Sequence, residues 1–516
     1  MLSADHSNQF NAGRDSAPLA ARQRLQMLYE APMFRQAASV WSEMLIRHLE
    51  KLSSREVPVQ KWCEPASAVD EAMKFIRSAE VAPASAENWE DRLHGLLETM
   101  LDRGQNLLHP RYVGHQVPAS MPLAGLFDAI GSITNQVMAI YEMGPWATAV
   151  ERAMIARLGQ QIGYSPGTFT GIITHGGSLA NLTALLTARN VALQDCWQQG
   201  VPTDVRAVLL VQEDAHYCVV RSAGILGLGT DQVIKIPVDG QRKMDVSQLD
   251  QVLSELATQS RPVIAVAAAA CATPIGAFDR LNEVADVCEQ HRVWMHVDAA
   301  HGGSALWSDQ HRHLLAGMER ADSVVWDAHK MMFVPALCAF AFYKDKRHQF
   351  AAFQQDAPYL FDPTDPGIAE YDSGTQTVEC TKRAAAFGLW GMWSLFGPQL
   401  FADLVDNAFA QAATFHAKLS AAPDFQPLHE PECNIQVFRY LPDATRGWSN
   451  QQLGEFQLQL RRAVVVAGNA YIVPIKLNGR GALRTTFMNP TTTADDMDAV
   501  LDEIRRVGQQ LLVQTS

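Results

Sequence analysis

The chain has 516 residues, more than one compact domain needs, and its 47% hydrophobic and 19% charged composition allows a sizeable core. A formal net charge of −13 opposes approach to nucleic acid or to an anionic membrane, because long-range repulsion works against the encounter. No uncharged apolar run is long enough to span a bilayer, and the polar start, with Asp5, His6, Arg14 and Asp15, lacks the apolar core of a signal peptide. The eight cysteines are scattered without a CxxC pair or metal-ligand spacing, the usage of reduced thiols. A soluble cytoplasmic protein is expected, with a small-molecule partner and no metal, nucleic acid or membrane.

From about residue 18 to 104, apolar residues recur at three- and four-residue spacing, as at Trp41, Met44, Leu45 and Leu49, and Pro58, Pro65 and Pro83 divide the segment. This predicts a helical N-terminal segment over residues 1–105, assigned to dimerisation. From about 106 the character changes. Short β-type runs at 207–211, 233–236, 263–270, 293–297 and 323–326 alternate with helical patterns such as 247–259 and 280–290. The alternation predicts an α/β fold with a mostly parallel central sheet and crossover helices, a large domain over 106–396. After Gly397 come a predicted helix at 400–419, a strand at 435–440, a helix at 450–467, a strand at 483–487 and a helix after Thr493, a smaller α/β domain over 397–516.

In an open α/β sheet, ligands bind beyond the carboxyl ends of the strands, and four such ends carry unusual residues. Gly171-Ile-Ile-Thr-His-Gly-Gly-Ser-Leu-Ala-Asn181 reads as strand, glycine turn and helix. Its amides and helix N-terminus suit a phosphate; the plainer reading is a turn with Ser178 as N-cap. His216, in Glu213-Asp-Ala-His-Tyr217, can stack on a flat aromatic ligand, or is a satisfied loop histidine. Asp298 ends an apolar run beside small residues, where a carboxylate is costly unless it meets a cation such as a protonated pyridine nitrogen; a turn aspartate is the alternative. Lys330, in Trp326-Asp-Ala-His-Lys-Met-Met332, follows an apolar strand; burial there lowers a lysine pKa and frees the amine for Schiff-base chemistry. Alone it reads as a solvated strand end. Lys330 follows Asp298 by 32 residues, one strand–helix–strand step. Together the four point to one cofactor site in one cleft.

These motifs resemble those of the group II pyridoxal 5′-phosphate (PLP)-dependent amino-acid decarboxylases, the family of glutamate, cysteine-sulfinate and aromatic amino-acid decarboxylases. The resemblance runs from about His109 to the C-terminus and includes His109-Pro-Arg-Tyr112, Tyr141-Glu142, Tyr359-Leu-Phe361, Tyr371-Asp-Ser-Gly374 and the run from Arg484 to Thr491. It implies the type I PLP-dependent transferase fold, a homodimer with shared active sites, and decarboxylation of an L-amino acid to an amine and CO₂. By motif position, Lys330 would carry PLP and Asp298 would partner its ring nitrogen, so that the ring accepts the electrons left by CO₂. His216 would stack on the ring, with Thr273 and Ala300 beside its substituents. Ser178 with the Gly177 and Leu179 backbones would hold the phosphate, closed by His329. Arg484 would grip a substrate carboxylate, and Tyr359, on a mobile loop, would reprotonate the substrate carbon from across the dimer interface.

The chain departs from that pattern in places. Asp327 stands where relatives carry an asparagine near the phosphate, and Ala272 replaces a threonine. His115, with Gln116 beside it, takes the place of a glutamine that touches the distal carboxylate, and His301 replaces a bulkier aromatic residue. The cofactor residues are intact and the substrate pocket is altered. An acidic substrate (glutamate, aspartate or cysteine sulfinate) follows if Arg484 reads a distal acid. Neutral His115 and His301 would equally suit L-2,4-diaminobutyrate, and an aromatic amino acid is a further alternative. Transamination, desulfuration and oxidation to an aldehyde count as rivals, opposed by the presence of Tyr359. A PLP-binding scaffold without catalysis is the rival of another class.

Overall fold

The computed structural model of the chain describes residue 22 and residues 25–84, 88–353 and 370–515. They group into two units, Met1–His109 with Val465–Asn469, and Pro110–Val464 with Ala470–Ser516. The first unit holds the helices Ala31–Ser53, Pro65–Val81 and Trp89–Arg103. Pro65 opens the second of these, where its missing N–H removes no intrahelical bond. Of the residues in the three helices only Leu52 is buried, so Phe34, Trp41, Ile46, Ile76 and Met100 stand exposed.

The second unit carries two sheets. The larger consists of β1 (Thr170–Thr174), β2 (Val208–Gln212), β3 (Val233–Ile236), β4 (Val263–Ala269), β5 (Met295–Asp298), β6 (Ser323–Asp327) and β7 (Ala339–Tyr343). Their order is β1-β7-β6-β5-β4-β2-β3. Strands β2 to β6 pair in parallel, and β7 runs antiparallel to β6 and β1. Strand β4, Val-Ile-Ala-Val-Ala-Ala-Ala, is apolar throughout because helices cover both faces of such a sheet. The expected parallel α/β architecture is therefore present. Strand β7 is an addition to it: Ala-Phe-Ala-Phe-Tyr has the same buried composition, but its short return from β6 follows no crossover pattern. Strand β5 starts two residues later than its apolar run, because Arg292 takes a left-handed turn (φ 56°) after the helix Leu281–His291. Asp298 is the last residue of the strand.

The smaller sheet, ordered β10-β11-β9-β8, is antiparallel and comprises β8 (Phe425–Pro427), β9 (Ile435–Tyr440), β10 (Val473–Leu477) and β11 (Arg480–Thr486). Pro474 masks β10 as a strand in the sequence, and β10 is an edge strand, where proline is tolerated. Behind β1 lies a buried ion pair. Lys382 Nζ donates to Glu151 Oε1 (2.5 Å) and to the Ile173 carbonyl (2.7 Å), and the Ile173 N–H donates to the same carboxylate (3.1 Å). Removing one partner of such a pair typically costs about 3–5 kcal/mol, so this triad fixes the strand that delivers the glycine turn. Among the described residues no helix is long and apolar enough to cross a membrane.

Candidate active site

A cavity of about 620 Å³ opens at the carboxyl ends of the large sheet. The turn after β1 forms one wall. Gly176 takes φ +109°, which side chains rarely adopt, and the helix Gly177–Ala192 starts at once. A Cβ on Gly177 would lie 2.6 Å from Asp327 Oδ2, so only glycine fits there. Gly177 and Ser178 begin the helix, where N–H groups have no intrahelical acceptor and the dipole favours an anion. Ser178 is not the N-cap; that position belongs to Gly176, without a side-chain cap. Leu179 does not line the cavity, and its N–H donates to the Gly176 carbonyl at 3.0 Å.

Beyond β2, His216 caps the helix Tyr217–Ile225, its Nδ1 accepting from the Cys218 N–H at 3.3 Å. Burial lowers its pKa, against the pull of Asp298, so a neutral ring carries its proton on Nε2. Asp298 at the end of β5 accepts from the Ala300 N–H (3.1 Å) through Oδ1 and from Asn181 Nδ2 (3.3 Å) through Oδ2. After β6, Lys330 reaches back to Asp327, with Nζ 3.0 Å from Oδ2. Here the sequence expectation is corrected. Burial does pull the Lys330 pKa down, but the Asp327 and Asp298 carboxylates outweigh it and the net shift is upward. Asp327 is itself 1% exposed, and its Oδ1 has no hydrogen-bond partner among the described residues. His329 Nε2 stands 3.6 Å from Asp327 Oδ2, while its Nδ1 engages the Cys338 backbone. The charge of Asp327 is paired with Lys330, three residues on.

The opposite end of the cavity is built from His115, Gln116, Thr273, His301 and Arg484. Arg484, buried on β11, donates through Nη1 to the Thr273 carbonyl at 2.6 Å, and its Nε has no partner among the described residues. Asn434 Nδ2 donates to the Phe487 carbonyl (2.9 Å), which turns its Oδ1 toward His301 Nε2 (2.8 Å). His301 therefore protonates on Nε2 and leaves Nδ1 as a buried acceptor with no partner among the described residues. Burial, with Lys330 and Arg484, pushes its pKa down to about 3. Burial, Arg484 and Arg461 also lower that of His115. Both rings are neutral at pH 7. The structure thus brings together every sequence-predicted site residue except Leu179 and Tyr359, which lies outside the described residues. Sequence reasoning missed Asn181, His175 and Cys271 as lining residues. Asn181 and His175 both carried a signal, standing within the glycine motif.

The residues fit a phosphorylated pyridine. A cradle closed to any Cβ sits at a helix N-terminus, a lysine lies on the floor, and a carboxylate ends the neighbouring strand. The one feature of opposite sign is Asp327, whose charge Lys330 balances. No cluster of metal-ligating side chains occurs among the described residues.

The family profile described as "Pyridoxal-dependent decarboxylase conserved domain" matches residues 74–441, more than half the chain. Human cysteine sulfinic acid decarboxylase is 30% identical over 482 residues, covering 92% of this chain and 96% of the relative. The mouse acidic amino acid decarboxylase GADL1 is 30% identical over 430 residues, 82% of this chain and 78% of the relative. The crystal structure of mouse CSAD superposes with a TM-score of 0.83 at 26% identity, over 93% of this chain and 99% of that one.

Proposed function

The chain belongs to the pyridoxal-dependent decarboxylases, and from that premise we propose that it converts an acidic L-amino acid (glutamate, aspartate or cysteine sulfinate) to its amine and CO₂. The observation that carries the substrate class is Arg484, a buried guanidinium that lines the cavity and whose Nε has no hydrogen-bond partner among the described residues. The names of its relatives, cysteine sulfinic acid and acidic amino acid decarboxylases, support the same class.

PLP, when bound, accepts the electrons that the departing carboxylate leaves behind. The roles of the chain's own residues follow from their places. Gly177 and Ser178 would hold the phosphate with His329 beside them, Lys330 the aldehyde carbon, and Asp298 a proton on the ring nitrogen. His216 would cover one ring face, and Thr273 and Ala300 the ring edge. Arg484 would bind and orient the substrate acid beside neutral His115, Gln116 and His301, and the apolar walls exclude water from the reacting carbon. Tyr359 would return a proton to that carbon.

Arg484→Lys is expected to lower kcat/KM for the acidic substrate by about 10–10²-fold, the worth of one lost charge-assisted hydrogen bond. The direct test measures CO₂ and amine from aspartate, glutamate, cysteine sulfinate, L-2,4-diaminobutyrate and tyrosine. Turnover confined to non-acidic substrates would remove the proposal. The free acceptor Nδ1 of His301 favours diaminobutyrate as the second reading, since an ammonium would satisfy it.

For Tyr359→Phe, CO₂ release is expected to continue while the amine yield falls. With O₂ and water entering, the products become an aldehyde, CO₂, ammonia and hydrogen peroxide in equal amounts. An unchanged amine-to-CO₂ ratio would exclude the tyrosine as proton donor. We further propose a homodimer, supported by the apolar side chains left exposed on the helix Pro122–Ile133 (Leu126, Ile130 and Ile133) and on the three N-terminal helices. Eight unpaired thiols support a cytoplasmic location. Domain limits near 105 and 396 are proposed from the helical segment and the two separate sheets.

A further inference from the structure

Asp298 is the last acceptor in a chain of buried side chains that runs the length of β5. Residues 294, 296 and 298 project to one side, because side chains alternate along extended backbone. Ser323 sits opposite His296 in the β5–β6 register, and Asn181 reaches down from the helix Gly177–Ala192. Trp294 Nε1 donates to Ser323 Oγ (2.8 Å), which lies 2.8 Å from His296 Nδ1. His296 Nε2 lies 2.8 Å from Asn181 Oδ1, and Asn181 Nδ2 lies 3.3 Å from Asp298 Oδ2.

The direction of every proton in this chain is determined. Asn181 Nδ2 also donates to the Gly177 carbonyl (2.9 Å), so its Oδ1 must be the acceptor and His296 Nε2 carries the hydrogen. Burial pushes the His296 pKa down to about 4, leaving Nδ1 as an acceptor at neutral pH. The Ser323 hydroxyl then donates to Nδ1 and receives the Trp294 N–H. All four hydrogen bonds point toward Asp298, and aligned bonds in a low-dielectric interior polarise one another.

We propose, resting on the PLP reading above, that Asn181, His296 and Ser323 are positioning residues that present Asp298 to the ring nitrogen and tie it to the phosphate cradle. Asn181 makes the tie: one amide group bonds both the Gly177 carbonyl, at the start of the phosphate turn, and the Asp298 carboxylate. Stability alone does not account for this layer. His296, Ser323 and Asn181 are 0–1% exposed amid alanine and valine, and well-packed apolar residues are often as stabilising as a buried polar network.

The test uses holoenzyme loaded with PLP carrying ¹⁵N in its ring, read by the ¹⁵N shift of the bound nitrogen and by the rate of PLP release. Asn181→Leu and His296→Leu are expected to release PLP about tenfold faster, the worth of one hydrogen bond to a charged group, with the shift moved toward the unprotonated ring. His296→Gln, whose amide keeps an acceptor for Ser323 and a donor for Asn181, is expected to restore both readouts. Wild-type release and shift in the leucine variants would overturn the proposal, as would His296→Gln behaving like His296→Leu. Should the leucine variants not fold, Ser323→Ala decides: release at least about threefold faster supports the chain, and unchanged release overturns it. If borohydride fixes no PLP on wild-type Lys330, the PLP reading itself fails and the network falls with it. PLP fixed there with unresponsive variants sinks the network alone.

Discussion

Replacing Lys330 by alanine is expected to abolish both turnover and the covalent fixation of PLP by borohydride, while the protein still folds. The amine lines the cavity beside both carboxylates, Asp327 at 3.0 Å and Asp298 on the neighbouring strand. Alanine substitution has a second consequence. Asp327, 1% exposed and with Oδ1 already unpartnered, loses its cation, and an uncompensated buried carboxylate is strongly destabilising. Lys330→Ala should therefore melt below wild type as well as lose activity. Lys330→Arg separates the two effects: it keeps a cation for Asp327, so the melting temperature recovers toward wild type, but a guanidinium cannot take the cofactor covalently. Borohydride treatment followed by peptide mapping decides the assignment. Label on a different lysine, or label retained in Lys330→Ala, would refute it.

The places where these residues sit were largely legible in the sequence, because each lies where an apolar strand stops and a polar residue follows. Strand β3 begins and ends where its apolar run does, and β6 exceeds its run only by Asp327. The glycine pair at 176–177 announces a backbone that approaches something closely, and the structure shows that Gly177 is pressed against Asp327. What the sequence withheld is the pairing of side chains across the fold. Asp327 stood out only as a replacement for an asparagine, and its partner is a lysine whose pKa direction depends on two carboxylates outweighing burial. His296 read as one more strand residue, and its meaning lies in Asn181, 115 positions away. The acceptor state of His301 is likewise set by Asn434, 133 residues later in the chain. No local pattern encodes such distances. Strand β7 escaped for another reason: an antiparallel return strand buried on both faces has neither alternation nor a crossover helix to mark it.

Asp298→Ala is expected to leave the fold intact and to lower kcat by on the order of 10²–10³-fold or more. Losing the counter-charge to a cationic ring nitrogen, which a bound cofactor would cover, costs about 3–5 kcal/mol, and each 1.36 kcal/mol is tenfold in rate. Folding should survive because Asp298 has no ion-pair partner among the described residues; its two bonds come from the Ala300 N–H and Asn181, and Asn181 keeps the Gly177 carbonyl as an acceptor. Asp298→Asn is the sharper variant. It preserves volume but removes the charge, and an amide oriented with its NH₂ toward Asn181 Nδ2 sets donor against donor. Whichever way it turns, its single oxygen can serve only one of the two donors, Asn181 Nδ2 and the Ala300 N–H, and the missing charge favours the unprotonated ring. A second signature follows from His216. Asp298 holds the His216 pKa up against burial, so removing the carboxylate should lower it further, and the imidazole proton should titrate at lower pH by NMR. The sign is fixed by charge: a nearby anion favours the imidazolium, and its loss favours the neutral ring. Near-normal turnover by Asp298→Ala holoenzyme, or an unmoved His216 titration, would take Asp298 out of the site.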